Sequence, residues 1–296
     1  MSANDPNLLA NCWTHPGDVD PFPGAHGHRA WSSWSMESRA ANLSKAGFDA
    51  IGLHQDDLMH VLDVEFGEEG DREAALERLN TVFTENGIDT VELEFLTEWV
   101  HEEGDPRRAQ EQEVRELLLM AADILDAKHI KVGNLSGYTI PTEQLKETFD
   151  DIAGDFEETD TAVGFELFPA DPNVDTLDDA LAIVEKADNG GLFLDIWHMV
   201  KMGISYEDIG NLDSDDITAI EFNDGYVDTE MGFMEETVNL RKIPGEGEFD
   251  IQGFIDAVKS TGFDGPWGLE ILSEEYRRLS MNDAYSRAYE GGAQYL

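Results

Sequence analysis

Basic residues are scarce in this chain: 19 lysines and arginines stand against 64 aspartates and glutamates, a formal charge of −45 at pH 7. A field of that sign repels phosphate backbones and anionic lipid surfaces, so neither nucleic acid nor a membrane is an expected partner. Cysteine is nearly absent as well. The single Cys12 rules out an intrachain disulfide and a cysteine-built zinc site, and beside Trp13 in an apolar run it reads as a small core residue. No apolar run is long enough to cross a bilayer. The opening "MSANDPNLLA" lacks the basic start and apolar stretch of a secretory signal. A cytoplasmic location is the expectation.

What remains is ample for a core: 296 residues with 41% hydrophobic and 9% aromatic content. The acids lie between regular apolar segments throughout rather than in one tail, which argues against disorder. They fit a folded, halophilic protein, in which concentrated counterions screen the self-repulsion within a few ångströms.

Short β-rich runs alternate with amphipathic ones. The expected strands are Leu8 to Trp13, Asp49 to His54, Thr90 to Phe95, His129 to Gly133, Ala162 to Leu167, Leu192 to Ile196, Ile217 to Phe222 and Trp267 to Leu272. Helical periodicity fills the intervals. It is clearest over Arg107 to Ala127, with Asp105 as N-cap and Pro106 at the first helical position. The strict alternation predicts an α/β fold, a single (β/α)8 TIM barrel forming one domain over residues 1–296. The rival is an open doubly wound sheet, but "WTHPGD" after the first strand carries no G-x-G-x-x-G turn.

In such a barrel the chemistry sits where strands end. Glu166, Asp195, Glu221 and Glu270 each close an apolar strand on four consecutive strands. Burying even a neutral unpaired polar group costs about 2–7 kcal/mol, so four acids at one mouth need a shared counter-charge. One divalent cation supplies it, and an oxygen-rich set favours Mn²⁺ or Mg²⁺ over Zn²⁺. The alternative is pairing with Lys131, Arg241 or Arg277. His198, three residues after Asp195, points to the same rim as a ligand or substrate contact. His54, Asp57, Glu94, Lys131 and Asn134 are further rim candidates, and Asn223 and Asp224 are candidates for supporting the metal ligands. Arg241, in the loop "RKIPGEGEFD", is a candidate anchor for a substrate oxyanion. Arg277 follows the last strand closely enough to reach the mouth.

These segments resemble the xylose isomerase-like TIM-barrel superfamily of sugar isomerases, sugar-phosphate isomerase/epimerases and inosose dehydratases. The likeness rests on "AGFDAIGL", "VELEF", "FELF", "LDIWHMVKMG", "IEFNDG", "IPGEGEFD" and "GFDGPWGLEIL". It implies an enzyme holding one metal through Glu166, Asp195, position 221 and Glu270, with His198 on substrate. It further implies Glu166 and Glu270 as the pair that exchanges protons with an enediolate. The departure is Glu221, a carboxylate where that superfamily carries histidine; four acids round one cation should raise the pKa of one of them. The implied substrate is a small sugar, sugar phosphate or polyol, and the implied activity is isomerisation or epimerisation. Dehydration of a keto-inositol and an inactive sugar-binding barrel are the alternatives. The phosphodiesterase branch, with its histidine-rich multi-metal centre, fits neither the 8 histidines nor the charge. A homo-oligomer is compatible with the likeness.

Overall fold

The computed structural model describes residues 7–19, 21, 30–67 and 70–296; the first six residues, read above as part of an opening without a signal, lie outside them. Eight strands form: β1 Leu8–Ala10, β2 Ala50–His54, β3 Thr90–Leu96, β4 His129–Gly133, β5 Ala162–Glu166, β6 Gly190–Asp195, β7 Ile217–Phe222 and β8 Trp267–Leu269. They close in chain order into a parallel barrel, β8 pairing back onto β1. This is the expected single (β/α)8 barrel. No helix among the described residues is long and apolar enough to cross a membrane.

Local chemistry explains the helices. Asp105 accepts from the backbone N–H of Arg107 and starts Pro106–Leu125, where proline's missing donor is harmless. Thr176 and Asp179 form a capping box on Leu177–Val184. The apolar core is built where strands and helices pack together; Cys12 is buried, as expected, but lies outside that cluster, its backbone N–H donating to Glu94 at 3.2 Å.

The inside of the cylinder is different. TIM-barrel interiors are usually filled by branched aliphatics, but here Glu92, Glu94, His129, Lys131 and Glu221 are all buried. Side chains alternate across each strand, so Glu92 and Glu94 share one face of β3 while Val91 and Leu93 join the core. Room for this polar filling is made at Gly268, where a Cβ would stand 2.8 Å from the Glu221 side chain.

A second buried polar group ties the start of the chain to the barrel. Arg39 donates to Asp57 at 2.5 Å and to His15 Nδ1 at 3.2 Å, while His15 Nε2 donates to the Gly52 carbonyl at 2.7 Å. Asp57 also accepts from the backbone N–H of Ser32. It is therefore a brace for the β1 loop, not the rim group its sequence position suggested. Burial, then the neighbouring Arg39, lowers the His15 pKa from 6.5 to about 4. A folded-state pKa below the unfolded one means that between these values only the unfolded chain binds the proton. Stability from this group is thus complete above pH 6.5 and lost as pH falls towards 4, by about 3 kcal/mol in all. Denaturant unfolding at pH 7 and pH 4.5 should show His15→Asn losing less stability on acidification than the wild type. Equal losses would remove His15 as the source.

Candidate metal centre and active site

Four strand ends deliver four acids to one point. Glu166 ends β5, Asp195 ends β6, Glu221 lies in β7 level with Asp195, and Glu270 follows β8. One carboxylate oxygen from each lies within 4.8 Å of the others, and all four residues are buried. The acids are gathered, as the sequence suggested.

Two cations share them. Lys131 Nζ, from β4, lies 2.7 Å from Glu221, 3.0 Å from Glu94, 3.1 Å from Glu270 and 3.8 Å from Glu166. Arg241 Nη1 donates to Asp195 Oδ2 at 2.5 Å and also to Glu270 Oε2. Both readings of the strand-end acids therefore hold in part: the acids converge, and protein cations already offset some of their charge. Burial pushes Lys131 towards neutrality, but the carboxylates around it, Glu166 foremost, raise its pKa well above the ordinary lysine value. Glu221 moves the opposite way to an ordinary ion-paired acid. Burial, then the charge of Glu270, raises it well above the usual carboxylate range despite Lys131. For Glu94 burial is outweighed by Lys131 and by hydrogen bonds, and its pKa is lowered.

A lower layer holds these groups in place. Asn11 Nδ2 donates to Glu94 at 2.7 Å, to Glu92 at 3.2 Å and to Glu221 Oε1, while Trp13 N–H fixes the amide by donating to its Oδ1. His129 Nε2 meets Glu92 Oε2 at 2.6 Å. Asn11 and His129 were not singled out as site residues, because each sits beside apolar neighbours that read as plain strand; Glu92, which shares a face of β3 with Glu94 and so needs a partner, finds it in His129.

The Asp195–His198 spacing has a local cause. Asp195 caps the helix Ile196–Met202 by accepting from Trp197 N–H, and His198 lies on the first turn of that helix. Its Nε2 stands 3.4 Å from Glu166 Oε1 and 3.6 Å from Asp195 Oδ2. Asn223 supports Asp195, donating to Oδ1 at 3.1 Å.

Asp224 does something else. Its carboxylate accepts from the backbone N–H groups of Gly225, Gly245, Gly247 and Phe249 at 2.8–3.0 Å. "IPGEGEFD" is thus a loop wound round an anion, and a Cβ at Gly247 would fall 2.3 Å from Asp224 Oδ1. The same winding pairs Asp224 with Lys242 in a two-way backbone bridge, which sets the preceding Arg241 against the carboxylates. Arg241 is buried among them rather than held out at the rim.

Other candidates are placed as follows. His54 caps the helix Gln55–His60 and packs on Trp13, ring centroids 5.1 Å apart; burial lowers its pKa. Asn134 donates to Asp171 at 2.8 Å. Arg277, expected at the mouth, donates to Val238 O and Asn239 Oδ1 and braces the turn before Arg241. Phe168 packs edge-on against both His198 and Phe233, giving the polar floor an aromatic wall.

A parallel eight-stranded barrel with converging acids at its C-terminal mouth defines the class. The chain belongs to the xylose isomerase-like TIM-barrel family, which matches residues 40–293. It is 30% identical over 117 residues to a 3-dehydroshikimate dehydratase of Pseudomonas aeruginosa, covering 39% of this chain and 18% of that protein. It is 28% identical over 156 residues to an inosose isomerase of Bacillus subtilis, covering 50% of this chain and 55% of that protein. In both the chain spans less than two thirds of the relative's length. Among solved structures it shares its fold with the IOLI protein carrying a bound zinc atom, with TM-score 0.75, 20% identity, and 98% and 97% of the two chains covered.

Proposed function

We propose that this protein is a divalent-metal-dependent isomerase or epimerase of a small sugar, sugar phosphate or polyol, acting through an enediolate. The observation that carries the reading is the convergence of Glu166, Asp195, Glu221 and Glu270 within 4.8 Å at the barrel mouth, in a fold shared with a zinc-binding protein. The donor set suits a hard or borderline cation: buried carboxylate oxygens with one imidazole beside them. Such a cation, when bound, would polarise a substrate carbonyl and favour the charge of the enediolate.

The rest falls to the chain's own residues. Glu166 has the looser contacts of the four acids, at 3.4 Å to His198 and 3.8 Å to Lys131, and is the group assigned to remove the α-proton. Glu270, across the site, is the assigned partner for proton return, oriented by Lys131 and Arg241. His54, Glu94 and Trp13 are assigned to the substrate hydroxyls and ring face on the opposite wall.

A dehydratase acting on a keto-inositol-like substrate shares the first step, and the similarity to a 3-dehydroshikimate dehydratase favours keeping it as the second reading. Incubation of the Mn²⁺-loaded protein with ketoses, aldoses, their phosphates and keto-inositols in D₂O distinguishes the two. Exchange of one α-hydrogen with formation of an isomer or epimer is expected. Loss of water with a new conjugated-enone absorbance would select the dehydratase, and no exchange with any member would overturn both.

A further inference from the structure

The helix Ile196–Met202 carries a third polar group. Asp195, His198 and Lys201 follow at intervals of three, so each neighbours the next on its surface. The first two face the acids. Lys201 turns instead to the loop after β7. Its Nζ donates to Tyr226 O at 2.8 Å, Val227 O at 3.1 Å and Glu236 Oε1 at 2.5 Å, and lies 4.9 Å from the Trp197 ring centroid. The Lys201 and Glu236 side chains are 9% and 8% exposed. The two carbonyls stand at the start of the loop and Glu236 at its far end. One ammonium thus draws both ends together, as in a compact Ω-type surface loop.

Between those ends the fastening is light and local. Met231 N–H donates to Thr229 Oγ1 at 3.3 Å, and Glu236 N–H to Gly232 O at 2.9 Å. Val227, Met231 and Met234 stand 50%, 40% and 42% exposed, on a chain rich in acids. Phe233 turns inward, its ring centroid 5.9 Å from that of Phe168, which in turn lies 5.0 Å from the His198 ring. A cluster of exposed apolar side chains on a lightly held loop, with one aromatic ring directed at a polar site, is the composition of a cover that shuts out water.

We propose that residues 226–236 form a lid over the site, that Phe233 is its water-excluding face, and that Lys201 is the positioning residue that holds its two ends. The proposal rests on the enediolate reading above and adds what protects the abstracted proton. In that reading Glu166 takes a proton from the substrate α-carbon, and Glu270 delivers a different, solvent-derived proton to form product. The proton held on Glu166 either returns to the carbon it left or exchanges with water. Phe233, packed on Phe168 beside His198, favours return by keeping water from Glu166.

The test follows deuterium from D₂O, using the full chain in molar salt with Mn²⁺ and whichever ketose, aldose, phosphate or keto-inositol it converts. Wild type should label each product molecule once and recovered substrate at less than a tenth of that rate. Phe233→Ala should raise the label in recovered substrate per product formed at least fivefold. Lys201→Met should do the same and raise KM at least tenfold, while Lys201→Arg, which keeps charge and donors, should restore both to within about threefold. A wild type that labels recovered substrate as fast as product overturns the lid and leaves the isomerase reading standing. So does a folded Phe233→Ala with the wild-type ratio. Conversion of no compound overturns the isomerase reading and the lid with it. A second measurement needs no variant: amide hydrogen exchange across residues 228–235 of the wild type should slow at least fivefold when the converted compound is added. Equal rates with and without it overturn the proposal.

Discussion

Glu166→Gln should retain the melting temperature of the metal-free protein and, assayed at saturating Mn²⁺, lose α-proton exchange by about 10³–10⁴-fold, or roughly 4–5.5 kcal/mol of barrier. The amide is nearly isosteric with the acid but cannot take a proton. The contacts broken are weak, at 3.4 Å and 3.8 Å, so little stability depends on them. Glu270→Gln makes the contrast. Its carboxylate lies between Lys131 and Arg241, both buried, and removing one partner of a buried ion pair costs about 3–5 kcal/mol. That variant should therefore lose stability as well as exchange. Two assays side by side, thermal unfolding and exchange in D₂O, separate a group that moves protons from one that also holds the site together. If Glu166→Gln keeps more than a tenth of the wild-type exchange, the base lies elsewhere.

The eight strands were legible because a buried parallel strand writes itself as a short apolar run, and seven helical intervals separate the eight. The ends were less so. β1 stops at Ala10 and β8 at Leu269, short of the expected Trp13 and Leu272, because Asn11 N–H makes the closing bond to Leu269 O and the chain then turns inward with Asn11 and Glu270. The apolar residues beyond, Ile271 and Leu272, are buried beneath loops rather than in the sheet, and hydrophobicity alone does not tell these environments apart. The converging acids were legible from their positions at strand ends. Which cation serves which acid was not, since Lys131 and Arg241 are 110 residues apart and meet only at Glu270. Arg277 was misplaced for the same reason: closeness to Glu270 in sequence suggested the mouth, while its guanidinium braces the turn at Val238 and Asn239. The His15–Arg39–Asp57 brace gave no signal, because Arg39 in an amphipathic helix reads as a surface charge until the β1 loop covers it.

The second large effect concerns the surface. Lowering salt from 1 M to 0.01 M should reduce the melting temperature by at least 10 °C, most of it below 0.1 M. Forty-five net negative charges over 12933 Å² of accessible surface stand on the order of 17 Å apart, against Debye lengths of about 3 Å at 1 M, 10 Å at 0.1 M and 30 Å at 0.01 M. At 1 M neighbours do not sense one another; at 0.01 M each repels several. A pair at that spacing in water repels by about 0.2 kcal/mol, and half a dozen neighbours for every charge bring the total to roughly 20 kcal/mol at 0.01 M. The whole stability of a domain is about 5–15 kcal/mol, so even the fraction that the expanded unfolded chain relieves is enough to decide folding. The buried site should respond differently, because Lys131 and Arg241 lie against their carboxylates out of reach of counterions. Sodium chloride and potassium chloride should act alike if screening is the cause, whereas a melting temperature unchanged across this range would show that the acidic surface places no demand on salt.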